Sequence, residues 1–427
     1  MAGDSVVAAP RRPLRVALLG FGTVGQSVAR ILTERVELGT RLQLTHIFNR
    51  HVERKRVDWV PSSVVWTEDI HDFFDTHPDV VVEVIGGVEP VFGCLTYALE
   101  QRIAVVTANK QLLAEAGPAL LRLAARNRAQ IRFEAAVAGG IPLIHGIQSG
   151  LAGDRLSRIT GILNGTSNCI LSGMPALNVS QNEMLTIAQS AGLAEKDPSA
   201  DIDGHDAGAK LVVLAGVAFQ KYLQLSEIPR HSIRPVSQVD FHYARSLKRT
   251  IRQLAVLEQV APDQFYAFVG PALVPQSSVF GRTEEANNAI VTTGQYGGEC
   301  SFIGRGAGGN PTAVAVVSDL LAIQRGDQIP DQEWQPASVV ASRPRPFYIR
   351  FVVKNDLWIT AKISSMLSER GISLKAIHQE EGYPENALPF VVTVEPCDEA
   401  VLRAAVEVMS VAGFHVAPPL VLPIFDC

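Results

Sequence analysis

Cysteine is scarce in this chain: Cys94, Cys169, Cys300, Cys397 and Cys427 are scattered over 427 residues with no C-x-x-C pair among them. Odd in number and far apart, they exclude a disulfide framework and lack zinc spacing, which points to a reducing, cytoplasmic compartment. Long apolar runs are missing too. No stretch of about 18 uncharged apolar residues occurs. Residues 1–13 contain Arg11 and Arg12 but no apolar core of a signal peptide, so neither an export signal nor a membrane span is expected. Charge of one sign is also lacking. With 38 Lys and Arg against 43 Asp and Glu the net charge is −5, and the one block of three basic residues is Arg54-Lys55-Arg56. That balance gives no pull toward nucleic acid or an anionic bilayer. What remains is a chain 47% hydrophobic and 19% charged, long enough for two or three globular domains.

The first fold signal is Leu14-Arg15-Val16-Ala17-Leu18-Leu19, a buried strand that runs into Gly20-Phe21-Gly22-Thr23-Val24-Gly25 and then a helical segment over 26–37. Strand, G-x-G-x-x-G and helix in this order suit a dinucleotide. The glycines allow a tight turn and close approach of pyrophosphate, whose charge meets the helix N-terminus. Gly20, Phe21, Gly22, Thr23, Val24 and Gly25 are therefore cofactor candidates. Further strands at 43–48, 80–85 and 103–107 place them in a doubly wound, Rossmann-type parallel sheet of α/β class. At the end of the second strand, His46-Ile47-Phe48-Asn49-Arg50 carries no acid for a ribose 2′-hydroxyl. Arg50, with Lys55 and Arg56 near it, suits a 2′-phosphate, so NADP is expected over NAD; otherwise Arg50 is an ordinary solvated charge. Two more strand ends face the same crevice, Ile85-Gly86-Gly87 and Thr107-Ala108-Asn109-Lys110. Ile85, Gly86, Thr107 and Ala108 are further cofactor candidates, and Lys110 would carry an ammonium group toward the reacting ring.

Beyond residue 131 the chain reads Glu134-Ala135-Ala136-Val137-Ala138-Gly139-Gly140-Ile141-Pro142, a loop of small residues closed by proline. Carbonyls turned inward here would suit a hard cation; packed tight, the same residues would make a hinge. Asn164-Gly165-Thr166 offers an amide and a hydroxyl to a small polar substrate, and Asn-Gly is equally a common turn. The densest chemistry is E-K-D-P-S-A-D-I-D-G-H-D-A-G-A-K over residues 195–210. With a helix beginning near Gly204 and Asp203 as its N-cap, Asp206 and Lys210 stand at i and i+4 on one face. On a solvated face such a pair contributes about 0.2–0.5 kcal/mol. The helix continues as LVVLAGVAF through 211–219, however, so burial is expected and the pair is arranged for moving a proton.

Taken together and in order, residues 20–25, 107–110, 134–142, 164–168 and 195–210, with G-R-G-A-G-G-N-P-T at 304–312 and V-V-S-D at 316–319, resemble the homoserine dehydrogenases. That resemblance covers most of the chain. It implies NAD(P)-dependent interconversion of L-aspartate 4-semialdehyde and L-homoserine, on the route to threonine, methionine and isoleucine. By the same resemblance Lys210 stands in the proton-transfer position, Lys110 lies close to the reacting centre, and Glu195 and Asp206 are substrate-holding acids. Gly306 would approach the cofactor from the far end of the chain. The carbonyls of Glu134, Val137, Gly139 and Ile141 would surround a monovalent cation, sodium, and the protein would be a dimer or higher homo-oligomer. Aldehyde reduction needs a hydride on one face and a proton for the developing alkoxide; burial helps a lysine release that proton and a neighbouring carboxylate opposes it. The chain departs from the pattern at Leu193, where the family often has an aromatic residue, and at Cys169, where it often has tyrosine. The competing readings are a non-catalytic sensor of nucleotide and amino acid, or a dehydrogenase of a related amino acid. Lys110, Glu195, Asp206 and Lys210 together favour the enzyme.

Pro311 opens an amphipathic helix over 311–323. Residues 312–330 are expected to complete the first domain, 13–150, and 151–311 to form the catalytic, substrate-binding and dimerisation domain. Pro330, Pro336, Pro344 and Pro346 mark 331–346 as a linker. After it, strand 348–353, helix 359–370, strands 372–380 and 390–395, helix 399–410 and strand 416–423 give a βαββαβ order, which is ferredoxin-like. Residues 347–425 resemble an ACT domain, a regulatory module that in related enzymes binds an amino acid such as threonine. Such modules usually carry an acid followed by Pro-Gly at the first loop, where this chain has Lys354-Asn355-Asp356-Leu357-Trp358. With Trp358 in the place of glycine, both packing or dimerisation and effector binding stay open.

Overall fold

In the computed structural model, which describes residues 12–328, 333–340, 342–354, 358–380, 382–410 and 413–426, the first apolar run forms a strand as its pattern requires. Pro330 and the loop residues Asn355, Asp356 and Leu357 lie outside the described residues. The chain divides into two units, residues 1–151 with 305–335, and residues 152–304 with 336–427.

The sheet of the first unit consists of β1 (Leu14–Leu19), β2 (Leu42–Phe48), β3 (Val65–Thr67), β4 (Val80–Glu83), β5 (Ala104–Thr107) and β6 (Ile131–Arg132), all parallel in the order β3-β2-β1-β4-β5-β6. β4 and β5 are buried along their whole length, as strands covered on both faces must be. The order reverses between β1 and β4, so the ligand crevice opens at their carboxyl ends, beside Gly20 and Ile85. The helix Gly309–Arg325 packs back onto the helix Thr23–Glu34 so closely that a Cβ on Gly309 would stand 2.6 Å from Ser27 Oγ. Its Ala313, Val316, Val317 and Leu320 join the core of this sheet. Pro311 sits in its first turn, where a missing N–H leaves no bond unmade.

The second unit is built on β7 (Leu156–Ile162), β8 (Arg249–Ala261), β9 (Gln264–Pro275), β10 (Asn287–Gly294), β11 (Gly298–Arg305) and β12 (Ser338–Val340), in the order β11-β10-β7-β8-β9-β12. The helix His205–Phe219 is buried from Ala207 to Val217. A helix apolar on every side must be an inner element. The described parts of the proline-bearing segment 331–346, expected as a linker, pack against neighbouring elements. Trp334 is 2% exposed and packs edge-on to Phe133 and over Gly117, while 338–340 add a parallel strand to β9. A large indole and paired valines gain more from burial than from solvation.

The C-terminal module runs β13 (Arg345–Val353), helix Ile359–Ser368, β14 (Leu374–Gln379), β15 (Leu388–Cys397), helix Glu399–Ser410 and β16 (His415–Pro423). Its antiparallel sheet has the order β14-β15-β13-β16, the ferredoxin-like arrangement. Trp358, at the start of its first helix, has φ +77 and is 82% exposed, so a bulky residue holds a left-handed conformation that favours glycine. A buried polar lock fastens the module to the rest of its unit. Asp240, wholly buried on the helix Gln238–Ser246, accepts bonds from Tyr348 Oη (2.9 Å), Arg350 Nη1 (2.6 Å) and the Ser237 N–H (2.8 Å). Tyr243 Oη donates to the Pro389 carbonyl at 2.9 Å. Burial pushes the Asp240 carboxyl up and the Tyr348 hydroxyl well above its ordinary range. Among the described residues no helix is long and apolar enough to cross a membrane, and Cys94, Cys169, Cys300 and Cys397 are unpaired.

Candidate functional site

Gly20 has φ +112, and a Cβ on Gly25 would stand 2.3 Å from the Gly20 carbonyl oxygen, so the first turn of the helix Thr23–Glu34 closes only with glycine at both positions. A Cβ on Gly22, by contrast, would meet nothing within 4 Å. Gly22 is also the N-cap, with no side-chain cap and no acid in the first turn. Open space above uncapped N–H groups is a cradle for an anion, and the residues fit a pyrophosphate. The Phe21 ring is buried in T-shaped contact with Trp66 at 4.7 Å, which leaves only its backbone to face a ligand.

The other strand ends are shaped by a residue that sequence reading passed over. Glu83, fully buried at the end of β4, accepts the N–H groups of Ile85 (2.8 Å) and Gly86 (2.9 Å) on Oε1 and the Thr107 hydroxyl on Oε2. An acid inside the run V-V-V-E-V-I is the signal that was available, since a buried carboxylate must be paired. Asn109 completes the joint. Its Oδ1 caps the helix Lys110–Asn127 by accepting the Leu112 N–H (3.0 Å), and its Nδ2 donates to the Gly87 carbonyl (2.6 Å). Ile85, Gly86, Thr107 and Ala108 are thus held on adjacent strand ends, with Lys110 half-buried as the first helical residue. Beside Ile85 a cavity of about 540 Å³, lined also by Leu19, Phe48, Glu68, Val91 and Cys94, has the size and apolar wall for a planar base. Arg50 stands exposed on the turn after β2. The nearby acids are committed to backbone, Glu68 to the Val52 N–H (2.6 Å) and Asp69 to the His71 N–H (2.7 Å).

The small-residue loop follows β6. Ala138 and Gly139 have φ +59 and +51, and among the described residues no hydrogen bond reaches the carbonyls of Val137 or Gly139. A Cβ on Gly139 would stand 2.5 Å from the Gly306 carbonyl oxygen, which brings together two glycines far apart in sequence. The Ile141 carbonyl accepts the Leu143 N–H (2.7 Å). The Glu134 side chain is occupied, accepting the N–H groups of Ile144 (2.9 Å) and His145 (2.7 Å), so only its carbonyl is open to a cation. Its own N–H donates to Asp319, whose carboxyl burial pushes up to about 7. Among the described residues no cluster of three or more His, Cys, Asp or Glu is placed to hold a metal.

In the second unit Lys210 and Asp206 do share a helix face, Lys210 buried and Asp206 partly so. Lys210 Nζ donates to Asp206 Oδ2 and to the Leu163 carbonyl, both at 2.7 Å, which uses two of its three N–H bonds. Asn164 holds the acids in place: its Nδ2 donates to Asp201 (2.7 Å) and Asp206 (2.9 Å), while its Oδ1 caps the helix Gly165–Leu177 through the Ser167 N–H (2.8 Å). Asp201 joins the cluster as an acid given no role from the sequence. Burial raises its carboxyl, against the pull of the Asn164 bond and with the push of the Asp206 charge. Thr166 donates its hydroxyl to the Leu193 carbonyl (2.8 Å), tying this turn to the loop that bears Glu195, whose side chain is exposed and outside the cluster. Gly165 has no room for a Cβ, which would lie 2.8 Å from the Ala286 carbonyl oxygen. Asp203 is not the N-cap. Gly204, at φ +80, takes that position, and Asp203 turns away to accept from Ser232 Oγ (2.6 Å) and Arg234 Nε (3.1 Å), whose charge it prefers to a neutral N–H.

A family model described as homoserine dehydrogenase matches residues 142–321, and one described as homoserine dehydrogenase, NAD binding domain, matches residues 20–134. The homoserine dehydrogenase of Bacillus subtilis is 34% identical over 401 residues, 90% of this chain and 92% of that one. Among solved structures, a homoserine dehydrogenase from Thiobacillus denitrificans superposes with a TM-score of 0.89 at 29% identity, covering 97% of this chain and 99% of the other. A hyperthermophilic archaeal homoserine dehydrogenase in complex with NADPH aligns with a TM-score of 0.64 at 25% identity over 75% of this chain and 99% of its own. Similarity that spans nearly the full length of the Bacillus relative, and takes in both the dinucleotide-binding sheet and the Asp206–Lys210 helix, means that the chain belongs to the homoserine dehydrogenase family, NAD(P)-dependent oxidoreductases.

Proposed function

We propose that Lys210 is the proton donor and acceptor in the interconversion of L-aspartate 4-semialdehyde and L-homoserine, with NADP as the preferred cofactor. The observation that carries this is the buried Lys210 ammonium, fixed by Asp206 and the Leu163 carbonyl with one N–H left over. A bound nicotinamide would supply the hydride chemistry; Lys210 gives a proton from its third N–H to the substrate's carbonyl oxygen in the reduction and takes one back from the hydroxyl in the oxidation. Asp206 and Glu195 hold the substrate ammonium group, with Asn164, Gly165 and Thr166 shaping the turn beneath it. Lys110, the first residue of the helix after β5, is a second lysine assigned to the reaction. Asp206 also orients Lys210, so its two tasks are coupled.

A sodium ion in the loop of Glu134, Val137, Gly139 and Ile141 is supported by the carbonyls there that accept no hydrogen bond. It would stiffen the segment that meets Gly306. The proposed role of the C-terminal ACT-like module is packing, supported by the buried Asp240–Arg350 pair and by Trp358 in the place of glycine.

Formation of NADPH from NADP and L-homoserine, followed by absorbance with sodium present or replaced by choline, tests the assignment. No turnover with homoserine, or a large advantage for NAD, overturns the corresponding part. For the cofactor, support comes from Arg50 and from the archaeal relative solved with NADPH. Loss of a charged contact to phosphate costs about 1.5–3 kcal/mol, so Arg50→Ala is expected to raise KM for NADP roughly ten- to hundredfold and leave KM for NAD unchanged. Equal changes in both constants would return Arg50 to the solvated surface.

A further inference from the structure

Two neighbouring residues of β8 point to opposite faces of the sheet, and each holds a different side of the acid cluster. On one face the buried Gln253 donates from Nε2 to the Asp201 carbonyl at 3.1 Å. On the other the buried Arg252 fastens the segment 281–287. Its Nε donates to the Thr283 carbonyl (3.1 Å), its Nη2 to the Gly281 carbonyl (3.0 Å), and its Nη1 to the Ile251 carbonyl (2.9 Å) and the Thr250 hydroxyl (3.1 Å). These acceptors are all neutral. Burial pushes this guanidinium down to about 10, against the raising effect of the Glu284 charge. A buried charge bonded to dipoles rather than to a carboxylate is costly.

The same segment is gripped from the helix Gly165–Leu177. Asn168, wholly buried, donates from Nδ2 to the carbonyls of Thr283 (3.3 Å), Glu285 (3.0 Å) and Asn287 (3.3 Å), and Ser172 Oγ accepts the Glu285 N–H (3.0 Å). Both backbone groups of Glu285 are thereby fixed, at φ +56. A residue with a Cβ keeps that conformation only where its surroundings impose it. What the segment presses on is the turn Asn164-Gly165, since a Cβ on Gly165 would lie 2.8 Å from the Ala286 carbonyl oxygen. Asn164 Nδ2 and Lys210 Nζ both donate to Asp206 Oδ2, at 2.9 and 2.7 Å. The place of the turn therefore sets how that one oxygen is shared.

We propose that Arg252, Asn168 and Ser172 are positioning residues for the reaction, acting through the segment 281–287 on the Asn164 turn and so on the aim of Lys210. Packing alone asks for neither a buried guanidinium nor a left-handed glutamate; a turn that must stay within a fraction of an ångström is a reason for both. The proposal rests on Lys210 as the proton-transfer group and adds the frame that holds it on target.

Steady-state kinetics and thermal melts of Arg252→Lys, Ser172→Ala and the double variant, beside the parent and Lys210→Ala, supply the test. Ser172→Ala removes one hydrogen bond from the segment and should melt near the parent, so it reports on a folded protein even if Arg252→Lys does not. In both single variants kcat for homoserine oxidation should fall roughly tenfold or more, since a misplacement of about 1 Å can cost about 10²-fold, while KM for NADP stays as it was. The double variant should lose less than the product of the two separate effects, because each loosens the same segment. A parent-like kcat in Ser172→Ala and Arg252→Lys, with Lys210→Ala nearly inactive, overturns the positioning role and leaves Lys210 in place. A fall in kcat that comes with a matching rise in KM for NADP, or only in step with a lowered melting temperature, also overturns it, because general loosening does the same. An active Lys210→Ala overturns the reading beneath the proposal, and the proposal with it.

Discussion

Lys210→Ala is expected to lower kcat for homoserine oxidation by roughly 10²–10⁴-fold, the contribution of a positioned general acid or base, with KM for NADP nearly unchanged. The expectation follows from what surrounds the ammonium group. Asp206 and the Leu163 carbonyl take two of its N–H bonds, and Asn164 fixes Asp206 from the other side. Alanine makes neither of these bonds and has no proton to give. The substitution also removes a partner from a buried carbonyl and a buried acid, at a cost of about 1–3 kcal/mol for each group left unsatisfied. Melting must therefore be followed alongside turnover. Lys210→Arg separates the two effects: it keeps a positive charge for Asp206, yet a guanidinium does not give up its proton, so it should melt close to the parent and remain nearly inactive. Partial rescue of Lys210→Ala by a small primary amine would confirm that proton transfer is what was lost. Near-normal turnover in either variant removes Lys210 from the mechanism.

The parts of this site that were legible in the sequence are those whose geometry is local. Strand, G-x-G-x-x-G and helix specify their own turn, because Gly20 and Gly25 meet within six residues. Asp206 and Lys210 meet because the helix period brings them together. Glu83 was not legible, since its role arises only when β4 lies beside β5 and brings it to Thr107, 24 residues away. Asp203 shows the same limit from the other direction. Local preference made it a cap, and Arg234, 31 residues on, drew it elsewhere. β8 and β9 escaped reading for a different reason. β8 is buried continuously from Ile251 to Leu257 and β9 from Phe265 to Val274, so the alternation of apolar and polar residues that marks a half-exposed strand is absent there. A cavity of about 720 Å³ in the second unit takes its charged lining from three segments, at 230–232, 350 and 403–407, and no spacing rule joins them.

Asp240→Ala is expected to destabilise the second unit by about 3–5 kcal/mol, the usual cost of breaking a buried ion pair from one side. That is a large share of the roughly 5–15 kcal/mol that holds a protein folded. The loss is large because Asp240 serves four donor groups at once: the Arg350 guanidinium, the Tyr348 hydroxyl, and the backbone N–H and hydroxyl of Ser237. Tyr348 and Arg350 lose this partner in a buried place, and Arg350 keeps its charge. Removing both charges together should cost far less, so Asp240→Leu combined with Arg350→Met is expected to recover much of the stability lost in either single variant. Acid does not imitate the substitution. Burial raises the Asp240 carboxyl above its unfolded value, so the folded protein holds that proton more tightly, and falling pH favours folding through this group. Asp203 runs the other way: lowered by Arg234, it contributes stability above its unfolded pKa that is lost as pH falls through its folded one. Thermal melts of the two single variants and the double variant, with proteolysis in the 341–345 region as a second readout, decide the matter. If Asp240→Ala melts like the parent, the C-terminal module is not held by this lock, and the packing role proposed for it fails with it.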